Sequence, residues 1–522
     1  MLTRNSKRLL VLAAISLMIF SVASSQASTI IGQSIKVGTN PELKTDASNS
    51  ITILSRHDAA LFNLVASEFA KSDLGHSVGV TSSTQIKQQT PATTEQFINF
   101  INSDKVDVSM AWGGGPTIFN NLADRGYLQP ITDQALSDYI EANISDSIAG
   151  AQLKHYNDAD QLLWAASAIS SFGFTVNNAE LQSRNLPKPT TWEDLASPDF
   201  FTTATQYNIG MGNAPDTTSN TRIYQIILQK YGWDKGWEII NSMAGNSKIF
   251  GGSVETRASV ITGDTAVAMT IDFYGLIAQQ DNPNCEYIIP TNGSIVNGDP
   301  IAITKNPGNA TIAKAFMEFV LSKYGQSLLM DESINRLPVR ADAFDTEIGR
   351  RRTDIKEVYD KTIANQGINF DENLATAWIE SLRFHFQATI TDVHQKLRES
   401  WRQMITSYEQ GGIPYERFLQ IREIYGAPVI TADEAKSMND QIISDPTFRS
   451  SKTAEWQQSA LTKFNSAVNA IDDEYTLSGT TSKGSAGQDT NVRDVSFNPS
   501  LIALFLAFGM MVNIIRKKKY QF

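Results

Sequence analysis

The stretch VDVSMAWGGGPTIF, Val106–Phe119, constrains the fold most, because it joins three structural signals directly. Up to Met110 the residues alternate between apolar and polar, as they do in a half-buried strand. Three glycines and a proline follow, and then apolar residues at helical spacing that end near Gly126. The stretch therefore predicts a strand, a tight polar loop and a helix, in that order.

The same order occurs at the start of the folded part of the chain. The apolar run Ile51–Leu54 predicts a strand, Ser55–Asp58 a polar loop, and the apolar spacing through Phe69 a helix. Another amphipathic helix is predicted from Ile312 to Gly325. Strands that alternate with helices favour parallel α/β sheets, in which ligands lie beyond the carboxyl ends of the strands.

The three glycines have two interpretations. Gly113–Gly115 can form a tight connection and nothing more, or they can let the backbone approach a ligand closely because no Cβ is in the way. Pro116 suits the first helical turn, whose free N–H groups attract an anion or an oxygen-rich ligand, with Trp112 as an apolar wall beside it. The motif is not a P-loop, because no Lys follows at the required place.

The loop Ser55–Asp58 carries a second set of polar candidates. Arg56 can pair with an anion, and His57 or Asp58 can cap the helix or reach the ligand. For Asp58 we expect the capping role.

Both ends of the chain predict membrane-related segments. Basic residues, an apolar run and small residues predict a signal peptide over 1–27, with an uncleaved N-terminal anchor as the alternative. The apolar segment 497–515 predicts a transmembrane helix rather than a buried core helix, because the basic residues of the tail 516–522 follow at once and favour the cytoplasmic side. A flexible lead-in is predicted over 28–50 and a Gly/Ser/Thr-rich tether over 478–496.

Composition and motifs narrow the functional classes. The 522-residue chain has room for two or three domains, and its net charge of −11 argues against a nucleic-acid binder. The sequence contains no HExxH and no GxSxG motif, and Cys285 has no base near it in sequence. We therefore predict a protein that is not an enzyme and that needs no cofactor.

Several further stretches follow in a fixed order: SSFGFTVNN, PKPTTWEDLASPDF, NAPDTTSNT, TAVAMTIDFYG, NGDPIAITKNPGN and NRLPVRADAF. With VDVSMAWGGGP, they make Ile51–Phe344 resemble the bacterial and archaeal extracellular solute-binding proteins of ABC importers, especially the ferric-iron-binding branch. The resemblance implies an α/β, periplasmic-binding-protein-like fold of type II with two lobes, the second over about 172–296. Gly173 and the stretch Asn297–Ile301 would lie by the strands that cross between the lobes.

The resemblance also implies that a solute is trapped between the lobes and handed to ABC permease subunits. Carried onto this sequence, the ligand-binding residues would be Arg56, His57, Trp112, Gly113, Gly114, Ser170, Ser171, Ser219, Asn220, Asp272 and Tyr274. For Ser219, capping of the following helix is an equally good interpretation.

One position departs from the ferric-binding pattern. Many members of that branch carry two adjacent tyrosines where this chain has Phe273 and Tyr274. A single phenolate with Asp272 is a poorer donor set for a hard cation, even if His57 adds a nitrogen, so no metal site is predicted.

The C-terminal third predicts a helical extension over 345–477. An apolar stripe from Leu374 to Trp401 predicts a helix of about 30 residues, and more helix is expected over 415–425 and 432–475. We expect this extension to pack on the first lobe.

Together these features predict a solute-binding receptor at the cell surface, anchored in the plasma membrane by its C-terminal helix. Its ligand would be a small molecule or ion: an oxyanion, a metal complex or a small polar organic compound. The alternatives are a surface interaction or structural protein on the same scaffold, and a secreted hydrolase.

Overall fold

The computed structural model describes residues 49–91, 93–202, 206–365 and 367–472. The predicted signal peptide, almost all of the lead-in, the tether, the helix 497–515 and the basic tail lie outside these residues. Within the described ranges, no helix combines the length and apolar character needed to cross a membrane.

The strands are β1 Ile51–Ser55, β2 Ile86–Gln89, β3 Val108–Trp112, β4 Ser147–Ile148, β5 Ala151–Gln152, β6 Lys154–Tyr156, β7 Leu162–Asn177, β8 Ile209–Gly212, β9 Ser247–Phe250, β10 Val267–Ile271, β11 Cys285–Ile288 and β12 Val296–Ile303.

The helices are α1 Ala59–Lys71, α2 Asp73–Ser77, α3 Thr94–Ile101, α4 Pro116–Asp124, α5 Gln134–Asn143, α6 Asn178–Ser183, α7 Trp192–Leu195, α8 Thr218–Tyr231, α9 Trp233–Gly245, α10 Ser253–Thr262, α11 Asp272–Asp281, α12 Ala310–Leu321, α13 Lys323–Leu328, α14 Glu347–Arg351, α15 Thr353–Ala364, α16 Glu372–Phe386, α17 His394–Glu409, α18 Tyr415–Gly426, α19 Ala432–Ser444 and α20 Pro446–Asp472.

The first lobe is a mixed sheet with helices against it. Strand β1 pairs in parallel with β2 and β3, and β12 then pairs antiparallel with β3 and β7. Strands β1 and β3 are buried throughout, as expected of parallel strands covered on both faces. The loops after β1 and β3 therefore emerge side by side at one edge, which is where the sequence placed its two polar loops.

The long strand β7 joins the lobes. Its first part pairs with β12 in the first lobe, and its last part pairs antiparallel with β10 and β11 in the second. A Cβ at Gly173 would lie 2.1 Å from the carbonyl oxygen of Ile288, so only glycine fits where these strands meet. Gly173 and the start of β12 thus lie at the crossovers, as predicted.

The second lobe completes a two-lobed α/β fold, which confirms the predicted fold class at that level. Strand β8 pairs in parallel with both β10 and β9. Helices α8 and α9 pack against this sheet, and almost every residue of α9 is buried.

The prediction that the extension packs on the first lobe is wrong for most of its length. Only its first part, through Tyr359, joins the first-lobe core. From Trp378 onward the apolar side chains merge with the core of the second lobe, where Trp378 lies 4.9 Å from Trp233 between ring centroids. The reason is α9: a helix buried on all sides must be covered from outside, and the apolar stripe of the extension covers it.

The predicted 30-residue helix is also interrupted. Helix α16 ends at Phe386, a π-helical turn spans Gln387–Thr391, and α17 begins at His394. The turn contains Thr389, whose hydroxyl donates to the His385 carbonyl at 2.7 Å. The later helices, α18 to α20, lie where the sequence predicts them as far as residue 472.

Candidate functional site

A cleft of about 1190 Å³ lies between the two lobes. Its walls come from the loops after β1 and β3, from the second lobe, and from helices of the extension. The wall contains arginines, a larger number of Asp and Glu carboxylates, and hydroxyl groups, all set among apolar surface.

The glycine loop after β3 has left-handed backbone at each of its three glycines. The φ angles are 77° at Gly113, 126° at Gly114 and 83° at Gly115, and L side chains rarely adopt such values. A Cβ at Gly113 would also lie 2.6 Å from the imidazole of His57. The three glycines are therefore required by conformation and, at Gly113, by space.

The N–H groups of this loop already have acceptors inside the protein. Gly113 N donates to the Pro300 carbonyl at 2.8 Å. The N–H groups of Gly114 and Gly115 donate to Oδ1 of Asp299 at 2.9 and 3.2 Å. The anion that the loop holds is thus a side chain of β12, which corrects the expectation that these groups face the ligand.

Asp299 links the loop to a buried arginine. Its Oδ2 lies 2.9 Å from Nη1 of Arg336 and 3.8 Å from Nδ1 of His57. Burial alone would raise the pKa of Asp299. His57, Arg336 and the two loop amides lower this pKa by more, so it lies below its ordinary value. Burial, together with the charge of Arg336, lowers the pKa of His57 to about 4. At neutral pH the imidazole is uncharged, so Arg336 and the amides hold the carboxylate.

The loop after β1 supplies Arg56 and Asp58 to the cleft. Asp58 caps α1, since its Oδ1 accepts from Leu61 N at 2.9 Å, and the predicted capping role is confirmed. Arg56 Nη1 donates to the Pro91 carbonyl at 3.4 Å. Burial lowers the pKa of Arg56, and the nearby charge of Arg383 lowers it further.

On the second lobe, Tyr274 and Phe273 at the start of α11 face two arginines. The Arg336 guanidinium lies 4.0 Å from the ring centroid of Phe273, and that of Arg257 lies 4.9 Å from the ring of Tyr274. Burial raises the pKa of Tyr274, so its hydroxyl is protonated at neutral pH and can donate a hydrogen bond. The departure from the two-tyrosine pattern thus places an apolar ring under a guanidinium.

Asp272 and Ser171 lie behind the cleft wall. Asp272 is 1% exposed, and its carboxylate accepts from the N–H groups of Ser171 and Phe273, each at 2.7 Å. Burial raises the pKa of Asp272 to about 7. These contacts tie the crossover strand β7 to the start of α11.

Helix α8 begins earlier than expected. Its N-cap is Thr217, so Ser219 lies within the first turn and does not cap the helix. Ser219 lines the cleft, with its hydroxyl 2.9 Å from that of Ser253. Asn220 is fully buried and accepts from Gly212 N at 2.9 Å.

One ion pair joins both lobes to the extension. Arg222 of α8 pairs with Glu372 of α16 and donates to Oδ1 of Asn297 at 2.7 Å. The hydroxyl of Thr117, in the first lobe, lies 3.4 Å from Arg222 Nη1 and donates to Glu372 Oε2 at 3.3 Å. Glu372 therefore contacts one residue from each lobe.

The predicted site residues divide into two groups. Arg56, His57, Gly114, Ser170, Ser219 and Tyr274 line the cleft. Trp112, Gly113, Ser171, Asn220 and Asp272 lie behind its wall. Trp112 is 1% exposed and donates from Nε1 to the Ser167 hydroxyl at 2.9 Å, so it supports the wall from the core.

Sequence reasoning missed several cleft residues. Asp299 and Arg336 stand in stretches that the family resemblance used, NGDPIAITKNPGN and NRLPVRADAF, and their opposite charges were the available signal. Arg383 had no such signal, because it lies on a helix outside the resembling region. Within the described residues, no group of three or more His, Cys, Asp or Glu side chains is placed to hold a metal ion.

Two curated relatives match about half of the chain. Over 256 residues the chain is 25% identical to the phosphoglycerate transport regulatory protein PgtC of Salmonella typhimurium, and equally to that of Salmonella typhi. The matched region is 48% of this chain and 58% of the relative, so the chain spans little more than half the length of these relatives.

Two solved structures with similar backbones are both of low identity to this chain. The binding protein AfuA from Actinobacillus pleuropneumoniae, solved with fructose-6-phosphate bound, is 16% identical, with 69% of this chain and 99% of AfuA covered and a TM-score of 0.48. Iron-bound HitA from Pseudomonas aeruginosa is also 16% identical, with 56% and 87% covered and a TM-score of 0.43.

The family comparison is the most direct. Residues 103–355, which run from the strand before the glycine loop to helix α15, match the model of the family described as bacterial extracellular solute-binding protein. This region includes both crossover strands and most of the cleft residues described above. Over residues 103–355, just under half of its length, the chain is therefore similar to the bacterial extracellular solute-binding proteins.

Proposed function

We propose that this protein is a receptor that captures a small organic anion, carrying a phosphate or carboxylate group, and delivers it to an ABC permease. The observation that carries the proposal is the set of guanidinium groups around Tyr274 in the cleft between the lobes. Arg56, from the loop after β1, and Arg336, from the segment after α13, line the cleft, whereas Arg257 of α10 lies against the ring of Tyr274 without lining it.

The charges on this part of the cleft favour an anion. Asp299 is engaged by Arg336 and the glycine loop, and Asp58 accepts from the N-terminus of α1. Arg257 stacks on Tyr274, and its buried Nε has no hydrogen-bond partner. A phosphate or carboxylate would accept from such guanidiniums and from the Tyr274 hydroxyl, since charge-assisted hydrogen bonds of this type are strong.

A phosphorylated acid is the first candidate. The curated relative whose name refers to phosphoglycerate transport supports it, as does the position of Arg56 and Arg336 on the cleft wall with Tyr274. Arginine presents several donors in a fixed fork that matches the oxygens of a phosphate group.

Capture follows from lobe closure. Arg56 belongs to the first lobe and Tyr274 to the second, so a solute that contacts both is held fully only when the lobes are closed. The ligand shifts the open–closed equilibrium by its difference in affinity for the two states. No bond of the solute is broken, and the permease receives it unchanged.

The proposal includes the cell-surface location. The apolar segment 497–515 and the basic residues after it support a C-terminal anchor in the plasma membrane, with the two lobes outside. The tether over 478–496 would then give the lobes freedom to reach a permease.

Thermal unfolding of the full-length chain in detergent tests the ligand class. The panel is 3-phosphoglycerate, glycerate, inorganic phosphate, ferric citrate, spermidine and thiamine. Phosphorylated or carboxylated anions should raise the melting temperature progressively with concentration, because a ligand at 100 times its Kd adds about 2.7 kcal/mol to the free energy of unfolding. A rise with spermidine or thiamine alone would contradict the anion class, and no rise with any compound would favour the surface interaction protein.

A further inference from the structure

One face of helix α16 forms part of the cleft wall. Thr376, Glu380 and Arg383 line the cleft at spacings of four and three residues, which places them on one side of the helix. Asn439 of α19, which also lines the cleft, holds this helix in place, since its Oδ1 accepts from Glu380 N at 2.9 Å. The extension thus adds a third wall to a cleft that two lobes alone would leave open on this side.

Helix α16 is held in place by both lobes. Glu372, in its first turn, contacts Thr117 and Arg222, as described above. Gln225 of α8 donates from Nε2 to the Ala375 carbonyl at 2.9 Å. A helix fixed at these points presents its next turns to the cleft in a defined position.

Arg383 is oriented by its neighbours and keeps a buried N–H donor without a partner. Its Nη1 pairs with Glu380 Oε1 at 2.8 Å, and its Nη2 donates to the Pro215 carbonyl. Its Nε is buried and has no hydrogen-bond partner. An unsatisfied buried donor costs about 1–3 kcal/mol, so an acceptor that reaches it is favoured.

Arg383 also lies close to Arg56. Both line the same cleft, and the charge of Arg383 contributes to the lowered pKa of Arg56, after the larger effect of burial. Two guanidiniums that line the same partly desolvated cleft repel each other, and an anion bound between them would remove this cost. A group with two negative charges does so more completely than a monocarboxylate.

We propose that the helical extension completes the ligand site, and that Arg383 together with Arg56 contacts the dianionic phosphate of a phosphomonoester. The inference rests on the proposed function and names the ligand class of the same cleft. Arg383 then determines specificity: it favours phosphorylated acids over their unphosphorylated counterparts.

Isothermal titration calorimetry on the full-length chain in detergent tests this assignment. The probes are 3-phosphoglycerate and glycerate, and the variants are Arg383→Gln and Arg383→Lys. Arg402→Gln is the control, since Arg402 is an exposed arginine on α17 of the same extension. We expect Arg383→Gln to weaken 3-phosphoglycerate binding at least tenfold, Arg383→Lys to weaken it less, and Arg402→Gln to stay within twofold of wild type.

The pH profile separates a ligand contact from a structural role. The second pKa of a phosphomonoester is about 6, so wild-type affinity for 3-phosphoglycerate should rise between pH 5.5 and 7.5. This rise should be smaller in Arg383→Gln, whereas a loss of folding alone would lower the melting temperature and leave the profile unchanged.

The outcomes distinguish the two proposals. If wild type binds 3-phosphoglycerate and Arg383→Gln matches its affinity and pH profile, the role of Arg383 is overturned and the anion receptor stands. If wild type binds glycerate as tightly as 3-phosphoglycerate, the phosphate assignment is overturned. If wild type binds neither probe, the proposed anion class fails and this inference fails with it.

Discussion

At the scale of single residues, the cleft depends on buried charges that satisfy one another. Asp299 accepts from two glycine N–H groups and pairs with Arg336, and all of these groups lie in or beside the cleft wall. A carboxylate in such a place is stable only while its partners are present. Asp299 therefore connects the conformation of the glycine loop to the position of Arg336 on the cleft wall.

Replacing this carboxylate should be costly. Asp299→Asn removes the charge that Arg336 pairs with while keeping the side-chain size, and we expect the free energy of unfolding to fall by about 2–4 kcal/mol. Urea denaturation measures the change. The exposed Asp158→Asn is the control and should stay within about 0.5 kcal/mol of wild type. Equal stabilities of the two variants would contradict the role given to Asp299.

His385 should make stability depend on pH. It is 1% exposed, its ring centroid lies 4.4 Å from that of Trp237, and burial together with the charge of Lys463 lowers its pKa to about 3. Below the unfolded-state pKa of about 6.5 the unfolded chain takes up a proton that the folded chain does not. Stability is therefore full above pH 6.5 and is lost as the pH falls towards 3.

The test compares wild type with His385→Phe, which keeps an aromatic ring in the site. Between pH 7 and pH 5, wild type should lose about 2 kcal/mol more of its free energy of unfolding than the variant does. The exposed His76→Gln should follow the wild-type profile. If wild type and His385→Phe lose the same amount, His385 does not titrate as described.

At the scale of elements, the glycine loop and helix α16 fix the geometry of the cleft, and they differ in how far they could be predicted. The sequence predicted the loop, because three glycines between a strand and a helix are a strong local signal. The acceptor of its N–H groups was not predictable, because Asp299 is almost two hundred residues away in the chain. Local sequence patterns predict a turn, but only the tertiary structure identifies the acceptor of its N–H groups.

Gly113→Ala should destabilise the loop by two effects. The left-handed backbone at φ 77° costs about 1 kcal/mol for alanine, and the new Cβ would lie 2.6 Å from the ring of His57 and add about 1–3 kcal/mol. Gly126→Ala is the matched control, since Gly126 has φ 70° and nothing within 4 Å of the added Cβ. Chemical denaturation of both variants should show the larger loss for Gly113→Ala, and equal losses would exclude the steric effect.

Glu372→Gln tests the connection between the extension and the lobes. Arg222 is 8% exposed at its side chain and loses its carboxylate partner in this variant, so we expect about 1–3 kcal/mol of destabilisation. Glu347→Gln breaks a surface pair with an 82% exposed carboxylate and should cost less than about 0.5 kcal/mol. Thermal unfolding that ranks the two variants in the opposite order would contradict the bridging role.

At the scale of the whole molecule, recurring strand, loop and helix signals predicted an α/β fold, and the division into two lobes was an expectation from the family resemblance. The docking of the extension on the second lobe could not be predicted in this way. An apolar stripe indicates that a helix packs against another part of the protein, but it does not identify that part. The clue was in the second lobe: the stretch that forms α9, Trp233–Gly245, is buried on all sides and needs a cover. Only about half of the predicted site residues line the cleft. The topology places the strand ends at its edge, but the packing decides in which direction each side chain points.

The most direct test of the central claim is calorimetric titration of 3-phosphoglycerate into the full-length wild type and Arg56→Gln. We expect one binding site per wild-type chain and an affinity at least tenfold weaker for Arg56→Gln, because this variant removes a guanidinium from the cleft wall. The exposed Arg402→Gln should bind as wild type does. Undiminished binding by Arg56→Gln would contradict capture of an anion in this cleft.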